Sequence, residues 1–248
     1  MAITGKSESR KGRIRLGMVG GGRDAFIGGV HRIASRIDDR FELVAGAFSA
    51  TEAKSKASAA DLGVADDRAY GDYVEMAKRE VRLKNGIEAV AIVTPNHLHY
   101  PIAREFLKRG IHVICDKPLT STLSDARKLV KAAESADALF ILTHNYTGYP
   151  MARQAREMVA EGLLGDIRLV HAEYPQDWLT EDEQNKQAQW RTDPDQAGAG
   201  CIGDIGVHAY NLACFMSGQE LDELSADLHS FVDGRRVDDN CHALLRWK

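Results

Sequence analysis

Residues 13–32, Arg-Ile-Arg-Leu-Gly-Met-Val-Gly-Gly-Gly-Arg-Asp-Ala-Phe-Ile-Gly-Gly-Val-His-Arg, read as strand, glycine loop and helix. Ile14, Leu16, Met18 and Val19 form a short apolar run of the kind that a parallel sheet buries on both faces. Gly20, Gly21 and Gly22 follow without a break. Gly20 permits a tight turn, and Gly22 lets backbone approach a bulky anion. The N–H groups of the next helix can then hold a pyrophosphate at its positive end. Ala25 satisfies the form of this loop that ends in Ala, whereas Gly28 arrives three residues late. The spacing predicts an enlarged loop that closes at Gly28, with His31 on the first helical turn. Because glycine-rich turns also close ordinary hairpins, the rest of the chain has to decide between the two.

It does so by alternation. Val30, Ile33, Ala34 and Ile37 recur at helical spacing, and residues 41–48 form a second apolar strand, completing one β-α-β unit. Helices over 51–62 and 72–83 lead to a strand over 88–93, and further strands are expected over 111–115 and 138–142, each preceded by a helix. Three of these strands end in polar clusters: Thr94-Pro95-Asn96-His97-Leu98-His99, Asp116-Lys117-Pro118, and Thr143-His144-Asn145-Tyr146. Open α/β sheets place their ligands at that edge. At the end of the second strand an acidic residue would accept both ribose hydroxyls and repel a 2′-phosphate. Ser49 stands there instead, with Lys54 five positions on, so either NAD or NADP is allowed. Ser49 as a plain helix cap and Lys54 as a solvated charge stay open beside that reading.

Beyond Tyr149 the pattern changes. An amphipathic helix over 151–160, a strand beginning over 167–174, a long polar segment over 176–203, a helix over 204–216 and two alternating segments over 223–232 and 239–247 describe an α+β unit with antiparallel sheet. The domains expected are a disordered tail over 1–13, a Rossmann dinucleotide domain over 14–146, and a substrate and oligomerisation domain over 147–248. With 248 residues and 44% hydrophobic content, two modest cores are affordable. A net charge of −4 without a basic stripe gives no reason to expect nucleic acid or an anionic membrane as partner. The four cysteines lie far apart without metal-ligand spacing, which suits free thiols in the cytoplasm, and no metal is expected.

Asp204 and His208 are four apart, with Asn211 three beyond, on one face of the expected helix. Oxidising an alcohol by hydride transfer requires removal of the hydroxyl proton. A histidine with an ordinary pKa of about 6.5 suits that task, a carboxylate orients its ring, and a lysine stabilises developing alkoxide. His208, Asp204 and Lys117 are the candidates. Asp204 after Gly203 equally fits a helix N-cap. Asn96, His97, Tyr146, Trp178 and Arg191 are candidates for substrate contact, and Trp178 serves equally to pin the long loop.

Gly20-x-Gly22, Thr94-Pro95-Asn96-x-x-His99, Cys115-Asp116-Lys117-Pro118 and Gly203-Asp204-Ile205-Gly206-Val207-His208, in that order, resemble the glucose-fructose oxidoreductase and inositol dehydrogenase (Gfo/Idh/MocA) family. The resemblance implies an N-terminal Rossmann domain and a C-terminal domain with a large open sheet. It also implies a catalytic set of Lys117, Asp204 and His208 acting on a sugar or cyclitol hydroxyl. The dinucleotide contacts expected are Gly20, Gly21, Gly22, Gly28, Ser49, Lys54, Thr94, Pro95, Asn96, His99 and Lys117. Asp116 replaces the family's usual Glu, and Asn211 stands where many members have Asp. Residues 241–248 read as a strand cut off within the sheet; with that sheet complete, a homo-oligomer is expected. The resulting expectation is an NAD(P)-dependent oxidoreductase of a sugar, cyclitol or sugar derivative. An NAD-dependent glycosidase and a non-catalytic cofactor-binding regulator are the rivals.

Overall fold

The computed structural model describes residues 12–23 and 25–248, so the expected tail lies outside the described residues through Lys11. Arg13, also assigned to that tail, forms an ion pair with Asp39 at 2.7 Å. The chain divides into two compact units. One runs to Thr94 and adds His99–Cys115 and Lys128–Ile141; the other comprises Pro95–Leu98, Asp116–Arg127 and Leu142–Lys248. Among the described residues no helix is long and apolar enough to cross a membrane.

The first stretch of chain alternates as β1 (Ile14–Gly20), α1 (Phe26–Ile37), β2 (Phe41–Ala47), α2 (Glu52–Asp61), α3 (Tyr73–Glu80), β3 (Ala89–Val93), α4 (His99–Leu107), β4 (His112–Asp116), α5 (Leu123–Glu134) and β5 (Phe140–Thr143). The strands build one five-stranded sheet in the order β2-β1-β3-β4-β5. The ladders β1 with β2, β1 with β3 and β3 with β4 are parallel. Strand order reverses at β1, so the ends of β1 and β3 lie side by side, Gly20 opposite Val93. Such a reversal opens a crevice for a ligand. Met18, Val90, Ile92 and Val113 are wholly buried, which explains why these strands read as continuous apolar runs rather than alternating ones.

The glycine loop differs in detail from expectation. The helix starts at Phe26, so Gly28 lies inside its first turn and His31 on its second. Gly20 and Gly21 have φ of +82° and +72°, the left-handed region in which glycine carries no penalty. A Cβ on Gly28 would lie 2.3 Å from the Gly21 Cα, so Gly28 is the point where α1 packs onto the loop. Because α1 turns Gly28 inward, the stripe Val30, Ile33 and Ile37 is 43%, 59% and 80% exposed. Its spacing marked a helix and not a buried face. Gly28→Ala is expected to destabilise the protein by about 1–3 kcal/mol, since backbone on both sides has to move. A urea midpoint unchanged from the native protein would refute that close packing.

The second unit contains α6 (Pro150–Ala160), α7 (Lys186–Arg191), α8 (Pro194–Ala197), α9 (Val207–Ser217), β6 (Leu221–His229) and β7 (Asn240–Trp247). The strands β6 and β7 pair antiparallel, His229 opposite Asn240. Helices α6 and α9 pack together, with the Arg156 guanidinium 4.5 Å from the Phe215 ring centroid. The strand expected over 167–174 is absent, and those residues carry no helix or strand. Alternation favours extended backbone, but a strand exists only where a neighbour completes its hydrogen-bond ladder. Within the long polar segment, Asn185 caps α7 through the Gln187 and Ala188 N–H groups, and Asp193 caps α8 through Asp195 N–H.

Candidate active site

The helix expected over 204–216 begins earlier and is not regular. Residues Ile202–Gly206 form a π turn that runs directly into α9. Its start is held from outside the helix. Asp238, in the loop between β6 and β7, accepts the Gly200 N–H at 2.8 Å and the Ile202 N–H at 2.7 Å. Its backbone carbonyl accepts the Cys201 N–H at 2.8 Å. Asp238 is therefore the cap, and Asp204 is not needed for that role. Burial and the neighbouring Asp238 carboxylate push the Cys201 thiol up to about 12, so it stays a thiol.

Asp204 gathers two cations. Lys117 Nζ donates to Asp204 Oδ1 at 2.7 Å and to the Asp204 carbonyl oxygen at 2.6 Å. The Arg191 Nε lies 3.3 Å from Asp204 Oδ2. Burial acts to raise the Asp204 carboxyl, but Lys117 and Arg191 outweigh it and hold it below the usual carboxylate range. Arg191 is itself sandwiched against Trp190, at 4.2 Å from the ring centroid, and Trp178, at 5.6 Å. The substrate candidates Trp178 and Arg191 thus belong to one cluster with Asp204 and Lys117.

His208 stands in an aromatic cage. Its ring centroid is 4.9 Å from Tyr146, 6.0 Å from His144 and 6.3 Å from Tyr174. Burial first, then repulsion from Lys117 and His144, pushes its pKa down to about 4. Burial lowers His144 as well. His208 Nδ1 is buried without a hydrogen-bond partner, as is His144 Nδ1. The expectation that Asp204 orients the His208 ring is therefore corrected: its carboxylate is committed to Lys117 and Arg191. The π turn supplies the reason, since a wider turn changes the angle at which residues four apart project. Beside the cage, Thr143 Oγ1 donates to Asp116 Oδ1 at 2.8 Å.

Two substrate candidates have other partners. Asn96 is buried and donates from Nδ2 to the Ala197 carbonyl at 2.9 Å, and His97 Nδ1 lies 3.4 Å from the Gln196 carbonyl. Both fasten the 194–197 helix. His144 and Tyr174 enter the cage without having been singled out. His144 ends a strand at the ligand edge, which was a usable signal, whereas Tyr174 carried none.

In the first unit, the residues present fit a dinucleotide. A Cβ on Gly22 would meet the Phe48 carbonyl oxygen and Ser58 Oγ, each at 2.7 Å, so the loop packs there against the end of β2 and α2 with no room for a side chain. Gly22, Arg23, Ala25, Arg32, Ser58 and Asp61 contribute to the lining of a cavity of about 440 Å³. Arg23 is held by Asp61 at 2.5 and 2.8 Å. At the end of β3, Thr94 Oγ1 is buried without a partner and its methyl crowds Gly20, leaving a donor at the glycine loop for a bound group. The other candidates are structural or open. His99 is fully buried and donates from Nε2 to the Thr94 carbonyl at 3.0 Å. The Pro95 carbonyl accepts the Leu98 N–H at 3.0 Å. Ser49 is half-buried, and Lys54 is exposed. Lys117 belongs to the Asp204 cluster in the second unit.

Residues 14–144 match the family model described as an oxidoreductase family with NAD-binding Rossmann fold, and residues 152–248 match the GFO/IDH/MocA C-terminal domain. The crystal structure of an oxidoreductase from Sinorhizobium meliloti is 63% identical, with a TM-score of 0.85 over 96% of this chain and 61% of that one. An inositol dehydrogenase homolog from Azotobacter vinelandii, complexed with NADH and myo-inositol, is 36% identical, with a TM-score of 0.89 over 96% of this chain and 62% of that one. An uncharacterized oxidoreductase of Bacillus subtilis, YfiI, is 37% identical over 95% of this chain and 62% of its own length. The chain therefore spans about three fifths of these relatives.

Proposed function

Since the chain belongs to the Gfo/Idh/MocA family of NAD-binding oxidoreductases, we propose that it moves hydride between nicotinamide C4 and a hydroxyl-bearing carbon of a sugar, cyclitol or sugar derivative. The observation that carries this reading is the ammonium of Lys117 locked on Asp204, in one cluster of side chains with a neutral, buried His208. The Azotobacter relative complexed with NADH and myo-inositol supports the substrate class.

Bound NAD(P) would supply the hydride acceptor, with Gly20, Gly21, Gly22 and Thr94 holding it. Lys117 places a fixed positive charge for the oxygen that develops alkoxide character, and Asp204 keeps that charge from swinging away. Asp204 is thus a positioning partner of Lys117. In the tautomer that carries its proton on Nε2, His208 has Nδ1 as an unpaired acceptor for the hydroxyl proton. An imidazole whose pKa lies near 4 releases that proton readily, so His208 passes it on rather than storing it. Trp178 and Trp190 offer flat apolar faces suited to a sugar ring.

Calorimetric titration with NAD(H) and NADP(H) separately, followed by a polyol panel read by cofactor absorbance, tests the reading. Micromolar binding with reduction of the oxidised cofactor is expected. In the oxidation direction kcat/KM should rise with pH through about 4 rather than through the ordinary histidine value, because the free enzyme's base is His208. Product formation from a glycoside without net cofactor reduction would replace this reading with a glycosidase, and binding without any turnover would replace it with a regulator.

A further inference from the structure

A general base needs a fixed ring plane, and an imidazole is commonly fixed by a hydrogen bond at the nitrogen that does not react. Asp204, the carboxylate expected to orient the His208 ring, is committed to Lys117 and Arg191. What surrounds the ring instead is packing. Tyr146 meets it edge-on at 4.9 Å with an interplanar angle of 77°, and His144 meets it edge-on at 6.0 Å and 87°. Tyr146 is in turn braced by Tyr149, at 5.7 Å, and by Tyr174, at 5.9 Å.

The Tyr146 and Tyr174 hydroxyls are hydrogen-bonded to each other, and Tyr174 also accepts a bond from Gln176 Nε2 at 3.2 Å. Tyr174 ends the segment 167–174, which has no strand ladder to place it. We propose that the Tyr146–Tyr174 hydroxyl pair is the device that holds the His208 ring in its working orientation, with Tyr174 acting through Tyr146 as a positioning residue. The pair acts by contact rather than by charge. The bond to Tyr174, then burial, pushes the Tyr146 phenol up to about 12, so no phenolate forms beside the imidazole. The charged and titratable groups that act on His208 are Lys117, His144, Asp116 and Asp204, and the tyrosine pair leaves all four in place.

This inference rests on the reading of His208 as the proton-moving group, so its test carries a readout that does not need turnover. The full chain with ¹³C-labelled histidine is compared with Tyr146→Phe, Tyr174→Phe and the double variant, the His208 resonance being assigned by its loss in His208→Asn. Each single variant is expected to shift the His208 ring resonance and to raise its titration midpoint toward that of an ordinary histidine. Each should also lower kcat about tenfold, the cost of one hydrogen bond expressed in rate, with KM changed less than twofold. The double variant should match the singles, because both remove the same bond. A Tyr174→Phe variant with native His208 resonance and native kcat would overturn the proposal, and so would losses that multiply in the double variant. A native protein that oxidises no polyol would overturn the dehydrogenase reading instead, with the His208 resonance still deciding this one.

Discussion

Lys117→Met is expected to lower kcat for polyol oxidation by on the order of 10³-fold while leaving NAD affinity within about threefold. Methionine keeps the length of the stem and removes the charge, so the loss reports the ammonium itself. Asp204→Asn should follow it closely, because the amide accepts poorly from Nζ and no longer anchors Lys117, which now donates twice to this one residue. If Lys117 and Asp204 act as a unit, the double variant falls no further than Lys117→Met alone, and steady-state kinetics on all three would show it. A Lys117→Met enzyme with native kcat would remove Lys117 from the chemistry. Lys117→Arg is not a conservative control, since the planar fork cannot reach both the Asp204 carboxylate and its carbonyl as a single ammonium does.

The largest stability effect is expected in the first unit, at Glu80. Glu80 is 1% exposed and accepts four hydrogen bonds, from Arg68 Nε at 2.7 Å, Arg68 Nη2 at 2.5 Å, Tyr70 Oη at 2.6 Å and the Ile87 N–H at 3.0 Å. Burial and the neighbouring carboxylate push the Tyr70 phenol up, so it stays a donor. Glu80→Ala strands the buried Arg68 guanidinium and should cost about 3–5 kcal/mol in urea unfolding. Replacing both partners by apolar residues, Arg68→Met with Glu80→Leu, should cost much less, because no unpaired charge remains. An Glu80→Ala loss below about 1 kcal/mol would show that the guanidinium reaches water. The consequence reaches the ligand edge of the sheet. The Tyr70 carbonyl accepts from Ser55 Oγ at 2.6 Å, and Ser55 Oγ accepts the Phe48 N–H at 2.8 Å, so this network holds the end of β2 to α2.

Much of the architecture was legible in the sequence because its causes are local. Apolar runs of strand length, the glycines that allow φ of +82° and +72° at Gly20 and Gly21, and polar clusters closing successive strands are all properties of neighbours in the chain. The order of the motifs likewise pointed to the family. Local pattern failed where the cause was a partner. Val30, Ile33 and Ile37 have helical spacing whether or not anything covers them, and residues 167–174 alternate whether or not a strand lies beside them. Asp238 could not be read as the cap of a helical turn that begins 36 positions before it.

The candidate site divides in the same way. The sequence by itself determined which groups are available, since its motifs carry Lys117 as a cation, Asp116 and Asp204 as carboxylates, and His99 and His208 as imidazoles. Only the tertiary structure decided how they are shared out. It gave Asp204 to Lys117, 87 positions away, and to Arg191 rather than to His208, and it buried His208 among Tyr146, His144 and Tyr174. The physical reason is that ionisation and orientation are set by what lies within a few ångströms in space, and that distance is unrelated to separation along the chain.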